Sequence, residues 1–259
     1  MSETSQCSQE HILSTSVSIT DYESACDRII QWAQENRSCY IIAANVHVVM
    51  TAYWSKTYHQ VVNQAALVTP DGMPLVWALR WLGWPEATRV YGPDLMLACC
   101  EQAALAQIPI YLYGGTEEML QILQENLRLH FPTLEIAGSH SPPFRPLAPE
   151  EEEEDIQRLH HSGAKIVFVS LGCPKQEEWM ARQQGKLSAV MIGVGAAFGF
   201  HSGTVRQAPR WMMTAGLEWL YRLAVEPTRL WKRYFINNPA FILLFCGQII
   251  MHHVRGHGK

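Results

Sequence analysis

Three short stretches carry side chains whose type and setting suit chemistry. Asp71 closes the run ALVTPD (66–71) and opens the segment GMPLVWALRWLGW. A carboxylate at the end of an apolar strand, on a rim of Val68, Met73 and Leu75, has its pKa raised toward that of a general base. The same position suits a helix N-cap with Pro74 in the first turn, and the two roles are compatible. Arg89 precedes VYGPDL, where Gly92 and Pro93 turn the chain and Asp94 is placed to cap the next helix. Its guanidinium either forks onto a phosphate at a strand end or is an ordinary solvated charge. Gly114 and Gly115, just before the N-cap candidate Thr116, either let backbone N–H groups approach an anion or simply turn the chain.

Other chemistries lack their residues. There is no G-x-x-x-x-G-K-[ST] phosphate loop and no H-E-x-x-H, and the pairs His160-His161 and His252-His253 have no ligand partners at zinc spacing. No D-x-D occurs to hold a divalent ion on a nucleotide-sugar diphosphate, so no metal is expected. GVGAAFG (193–199) imitates a dinucleotide fingerprint, but it lies late in the chain and runs into FHSGTV with no helix evident after it. The seven cysteines form no C-x-x-C pair and read as reduced thiols of a cytoplasmic protein.

The elements that must position these residues follow from the apolar runs. CYIIAAN (39–45), ALVTPD (66–71), PIYLYGG (109–115), KIVFVSLG (165–172) and AVMIGVG (189–195) read as strands buried on both faces. Between them the pattern predicts helices near 21–36, 46–64, 73–83, 94–107, 117–130, 150–162 and 175–185. The fold class is therefore α/β, a Rossmann-like, mostly parallel sheet flanked by helices, with a C-terminal helical appendage. Ligands of such sheets bind beyond the strand carboxyl ends, where Asn45, Asp71, Thr116, Lys175 and Gln176 fall. The acidic run Glu150 to Asp155 suits the first turn of a helix.

Composition supports a compact body with a distinct tail. The 259 residues are 48% hydrophobic and 17% charged with a net charge of -4, which excludes disorder and leaves no basic field for nucleic acid. Residues 205–259 nevertheless carry net +6, from Arg206, Arg210, Arg222, Arg229, Lys232, Arg233, Arg255 and Lys259 against Glu218 and Glu226, leaving the rest at -10. Such a tail meets anions, either phosphates or lipid head groups, or is an ordinary solvated basic helix. The division expected is a catalytic body over 1–203 and an appendage over 204–259. Pro227 and Pro239 predict about three helical pieces in this tail. Trp211, Trp219 and Trp231 among the arginines suit either a lipid interface or packing on the body. The apolar stretch Phe241 to Met251 is shorter than the ~20 residues a bilayer span needs, and MSETSQCSQEH has no signal-peptide pattern.

The blocks VTPDGMPLVW (68–77), RVYGPDLM (89–96), LGCPKQEEWM (171–180) and the run 193–235, with its G-L-E-W-x-x-R-x-x-x-E-P pattern, resemble those of the WecG/TagA/CpsF glycosyltransferases of bacterial surface-polymer synthesis. The resemblance extends from about Ser16 to Phe235. It implies an inverting, metal-independent transferase that moves N-acetylmannosamine or its uronic acid from a UDP-sugar to a polyprenyl-diphosphate-linked N-acetylglucosamine, peripheral to the inner face of the plasma membrane. UDP-sugar is then the donor substrate and no cofactor is needed.

Carried onto matching positions, the resemblance makes Asp71 the base, with Arg89 in the catalytic pair. Asn45, Gly114, Gly172, Lys175, Gln176 and Glu177 would bind substrate on the body, and Arg222, Arg229, Lys232 and Arg233 on the appendage. Without a metal, fixed cations must neutralise the leaving diphosphate. Arg222, Arg229 and Arg233 fall at i, i+7 and i+11, one face of a continuous helix. The chain departs from the family pattern at Ala43, at Gly199 and in HSPPF (140–144), changes that bear on donor identity and acceptor contacts. The rival readings are a nucleotide-dependent enzyme of another class and an inactive transferase-like binding protein, and self-association is open for all three.

Overall fold

The computed structural model describes residues 7–256. An antiparallel hairpin of β1 (Gln9–Ile12) and β2 (Thr15–Ser18) leads into α1 (Tyr22–Gln34), β3 (Cys39–Ala44), α2 (Val46–Trp54), α3 (Lys56–Asn63), β4 (Leu67–Pro70) and α4 (Met73–Trp81). There follow α5 (Gly92–Leu105), β5 (Ile110–Gly114), α6 (Glu117–His130), β6 (Ile136–His140), α7 (Pro149–Ser162), β7 (Ile166–Ser170), α8 (Lys175–Gln183) and β8 (Val190–Gly193). The chain ends in α9 (Ala197–His201), α10 (Arg210–Thr214), α11 (Glu218–Val225) and α12 (Pro227–Gly256).

Six strands form one sheet in the order β4-β3-β8-β7-β5-β6, with every neighbouring pair parallel. Their side chains alternate between two cores. Tyr40, Ile42 and Ala44 pack with Val48, Leu79 and Met180 on one face, while Cys39 and Ile41 pack with Ile29, Cys99 and Leu123 on the other. Burial on both faces is why these strands read as unbroken apolar runs. From β3 the chain passes to β4 on one side, while β8 packs on the other, which opens a crevice at the carboxyl ends of the strands.

Several expectations need correction. The helix expected over 46–64 is two helices, because Ser55 leaves helical geometry (φ -122°, ψ 113°) and its hydroxyl caps α3 by accepting from the Tyr58 N–H at 3.3 Å. The hairpin, β6 and α9 were not anticipated, since their short runs are only partly apolar. Asp94 does not cap α5 but pairs with Arg210 at 2.9 Å.

The tail differs most. Pro227 starts α12, as proline at a first helical position does, but Pro239 does not end it. Pro239 and Phe235 are exposed, so the carbonyl that loses its helical donor lies on the solvated side. Within α12, Pro227–His252 is long and apolar enough to cross a membrane by length and composition, unlike the stretch considered from sequence. One side of it nevertheless lies on the body. Phe241 and Phe245 belong to the core shared with α2 and α4, and the Gln248 amide accepts from Leu13 N–H at 2.8 Å and donates to His11 O at 2.6 Å. Arg222 lies on α11 and Arg229 and Arg233 on α12, so the three do not share a continuous helix.

Candidate active site

Two strand ends bring the first pair of polar side chains together. Asn45, immediately after β3, caps α2 by accepting from the N–H groups of His47 at 3.0 Å and Val48 at 3.3 Å. Asp71, immediately after β4, is held beside it because its backbone N–H donates to Ala44 O at 2.8 Å. Asp71 is not the cap of its own helix, whose N-cap is Gly72. Instead its Oδ1 accepts from the Gly92 N–H at 2.7 Å, so it ties α5 to the end of β4. Burial pushes the Asp71 carboxyl up to about 6, nearby Arg89 opposes the rise, and Glu218 adds to it.

Arg89 is largely enclosed in a cage. Its Nε donates to the Asp71 carbonyl, its Nη2 donates to Glu218 Oε2 at 2.6 Å, and its guanidinium carbon lies 4.2 Å from the centre of the Tyr91 ring. Tyr91 also donates its hydroxyl to Glu218 Oε1 at 3.2 Å. Burial alone would lower the Arg89 pKa, but the carboxylates of Asp71 and Glu218 more than reverse this and keep it cationic.

The other cations arrive from α11 and α12. Arg222, Arg229, Lys232 and Arg233 line a cleft of about 870 Å³ whose other walls include Asn45, Asp71, Gly172 and Gln176. Arg229 is engaged by Glu226 at 2.6 Å on the exposed rim. Among the described residues no carboxylate pairs with Arg222, Lys232 or Arg233. Arg233 reaches Asn45 Oδ1 from Nη2 at 3.4 Å and has a buried Nε without a hydrogen-bond partner. Burial lowers its pKa, and Arg222 and Arg229 contribute in the same direction. A partly desolvated guanidinium facing other cations is a ready anion site.

The remaining predicted residues divide. Gly172 (φ +78°), Gln176 and Glu177 line the cleft, and Gln176 donates from Nε2 to Glu177 Oε1 at 2.7 Å. Gly114 does not line it: a Cβ there would meet Ser170 O at 2.4 Å, so this glycine answers to the close approach of β5 and β7, while Gly115 and Thr116 face the cleft. Lys175 is exposed and outside the cleft wall, because the first turn of α8 turns Gln176 inward instead. GVGAAFG does open a helix, the short α9, and Gly195 and Gly199 line the cleft.

Sequence reasoning passed over His47, Tyr91 and Asn237 and gave Glu218 no role. Asn237 Nδ2 donates to His47 Nδ1 at 2.9 Å, which assigns the ring proton to Nε2. Burial, with Arg233 nearby, pushes His47 down to about 4, so the imidazole is neutral. The only signals in the chain were spacing: His47 lies two residues after Asn45, and Asn237 four after Arg233.

A parallel sheet with a crevice at its strand ends, a carboxylate of raised pKa and, among the described residues, three cations without a carboxylate partner define an α/β protein with a cleft suited to an anion. The chain belongs to the glycosyl transferase WecG/TagA/CpsF family, whose sequence model matches residues 10–255. It is therefore a glycosyltransferase. It is 28% identical over 229 residues, 88% of this chain and 84% of the relative, to an N-acetylglucosaminyldiphosphoundecaprenol N-acetyl-beta-D-mannosaminyltransferase of Bacillus spizizenii. A protein of the same name from Staphylococcus aureus is 30% identical over 201 residues, 77% of this chain and 76% of that protein.

Proposed function

We propose that this enzyme transfers N-acetylmannosamine, or its uronic acid, from UDP to a polyprenyl-diphosphate-linked N-acetylglucosamine, with inversion and without a metal. The observation that carries the reading is the meeting of Asp71 with Arg222 and Arg233 in one cleft. The acceptor hydroxyl gives its proton to the Asp71 carboxylate while its oxygen bonds to the anomeric carbon from the face opposite UDP, which leaves with the electron pair of the broken bond. Arg222, Lys232 and Arg233, with Arg229 at the rim, neutralise the charge that develops on the diphosphate. The printed names of the relatives, mannosaminyltransferases acting on N-acetylglucosaminyldiphosphoundecaprenol, support this choice of donor sugar and acceptor class.

A UDP-sugar donor together with a lipid-linked acceptor calls for an enzyme that works at the cytoplasmic face of the membrane. Exposed Phe235, Ile236, Ile242, Leu243 and Ile250 on α12 and Trp211 on α10 supply an apolar contact surface beside the basic side chains. Helix α12 then lies along the membrane rather than across it, because Phe241, Phe245 and Gln248 are engaged by the body.

A screen of UDP-sugars with a short-chain lipid-linked N-acetylglucosamine tests this. UDP release with UDP-N-acetylmannosamine or its uronic acid in the presence of EDTA, and a product of inverted anomeric configuration by NMR, are expected. Retention of configuration or dependence on a divalent ion would refute the mechanism, and product formation only from another donor would refute the sugar assignment.

A further inference from the structure

A second, smaller chamber adjoins the large cleft. It has a volume of about 90 Å³ and is walled by Met73 and Pro74 of α4, Met213, Gly216, and Trp219 and Tyr234 of the tail. At ~10–15 Å³ per water this holds about six to nine waters, the bulk of one sugar ring rather than of a nucleotide. The two spaces share one partition: Asn45, His47, Asp71, Arg222, Arg233 and Asn237, with Glu218. Asp71 is thus reached from both sides.

The walls differ in chemistry. The large cleft alone has the strand-end glycines Gly115, Gly172 and Gly195 and the cations Arg229 and Lys232, a setting for a nucleoside diphosphate. The small chamber alone has Trp219 and Tyr234, in edge contact at 5.8 Å, together with the amide of Asn238 and the guanidinium of Arg89, whereas the rings of the large cleft are Tyr91, Phe144 and Phe200. Aromatic faces beside amide groups suit a sugar ring, and the guanidiniums of Arg89, Arg222 and Arg233 in the same walls suit the diphosphate that an acceptor sugar carries. Its outer wall leads toward the apolar surface. A Cβ on Gly216 would meet Trp77 Cη2 at 2.4 Å, so the Trp77 ring packs directly on that wall, and Trp77, Trp81 and Trp211 are exposed at 42%, 66% and 65%.

The geometry points to a divided site: the small chamber between α4 and the tail binds the acceptor's N-acetylhexosamine ring, and the large cleft binds the UDP-sugar, with Asp71 in the wall between them. This rests on the proposed transferase reading and deepens it. The acceptor hydroxyl then approaches Asp71 from one chamber and the anomeric carbon from the other, so the proton passes to Asp71 while UDP departs into the cationic cleft. His47 and Asn237, bonded to each other in the same wall, help set the distance between the two sugars.

The test is a pair of equilibrium titrations on the full chain, one with UDP and one with a short-chain prenyl-diphosphate N-acetylglucosamine. Asn238→Trp, which fills the small chamber, is expected to weaken acceptor binding at least tenfold and to change UDP binding less than twofold. Gln176→Ala, in the large cleft, is expected to do the reverse. Met73→Trp serves as a second filling variant, and thermal melting shows that each variant is folded. Weakened UDP binding in the filled variants, or acceptor binding they leave unchanged, overturns the divided site alone. A wild-type protein that binds UDP but never the acceptor analogue refutes the proposed acceptor, and the divided site with it.

Discussion

Arg89 and Glu218, 129 residues apart in the chain, meet at 2.6 Å with only 16% and 15% of their side chains exposed. The pair joins the loop before α5 to the first residue of α11, and Tyr91 donates to the same carboxylate. It therefore anchors the tail over the Asp71 side of the cleft.

Replacing Glu218 with Gln removes the charge and keeps the shape. Glu218 raises the Asp71 pKa, and it also holds Arg89, which lowers it. The variant is expected to lose about tenfold in kcat/KM, and the acid limb of its pH profile is expected to move to lower pH. A pH-rate series on both proteins checks this; a parallel loss at every pH would point to a purely structural role.

Asp71→Asn is expected to lower turnover by about 10²-fold or more, the size of a lost general base, with UDP affinity retained. In the wild type the base must be ionised. Since its pKa is pushed up to about 6, kcat/KM is expected to fall about tenfold per pH unit below that value. Steady-state rates from pH 4.5 to pH 8 would read both effects.

The same carboxylate costs stability. A folded-state pKa above the unfolded value means that the folded form binds the proton more tightly, so stability from this group is present below about pH 4 and lost as pH rises through about 6. Asp71→Asn is therefore expected to melt a few degrees higher than wild type at pH 8, and the difference to vanish near pH 3.5. Differential scanning calorimetry at the two pH values measures it.

The two sides of α12 are expected to separate stability from membrane contact. Phe241 is 5% exposed and Ile242 60%. Phe241→Ala should cost about 3 kcal/mol, as truncation of a buried aromatic does. Ile242→Ser with Leu243→Ser should cost no more than about 1 kcal/mol in total, yet reduce sedimentation with anionic vesicles. Denaturant melts and vesicle sedimentation of both variants give the comparison.

The parallel strands were legible because a strand buried on both faces must be apolar throughout, and β3, β4, β5, β7 and β8 all lie within the runs read from the chain. The hairpin QEHI/TSVS and the edge strand IAGSH were not, since edge and surface strands carry mixed side chains. Helix α12 was misread at Pro239 because a proline's cost depends on whether the freed carbonyl meets water, which local sequence does not encode. Among the site residues, Asn45, Asp71 and Gln176 stood out because they directly follow or open elements at the strand carboxyl ends. Lys175 stood out for the same reason and faces solvent, because one residue along a helix turns a side chain by about 100°.

By itself the chain determined the alternation of strands and helices, the carboxylate after β4 and the gathering of cations near the carboxyl terminus, all of which follow from local pattern and composition. Tertiary structure alone decided that Asp71 bonds to the first residue of α5 rather than capping α4, that Glu218 closes on Arg89, that Asn237 sets the tautomer of His47, and that Arg222 and Arg233 stand in one wall despite lying on different helices. Each of these joins groups separated by 21 to 190 residues or by a helix break. The direction in which a side chain meets its partner is set by how the helices pack on the sheet, and no short-range rule of spacing contains that information.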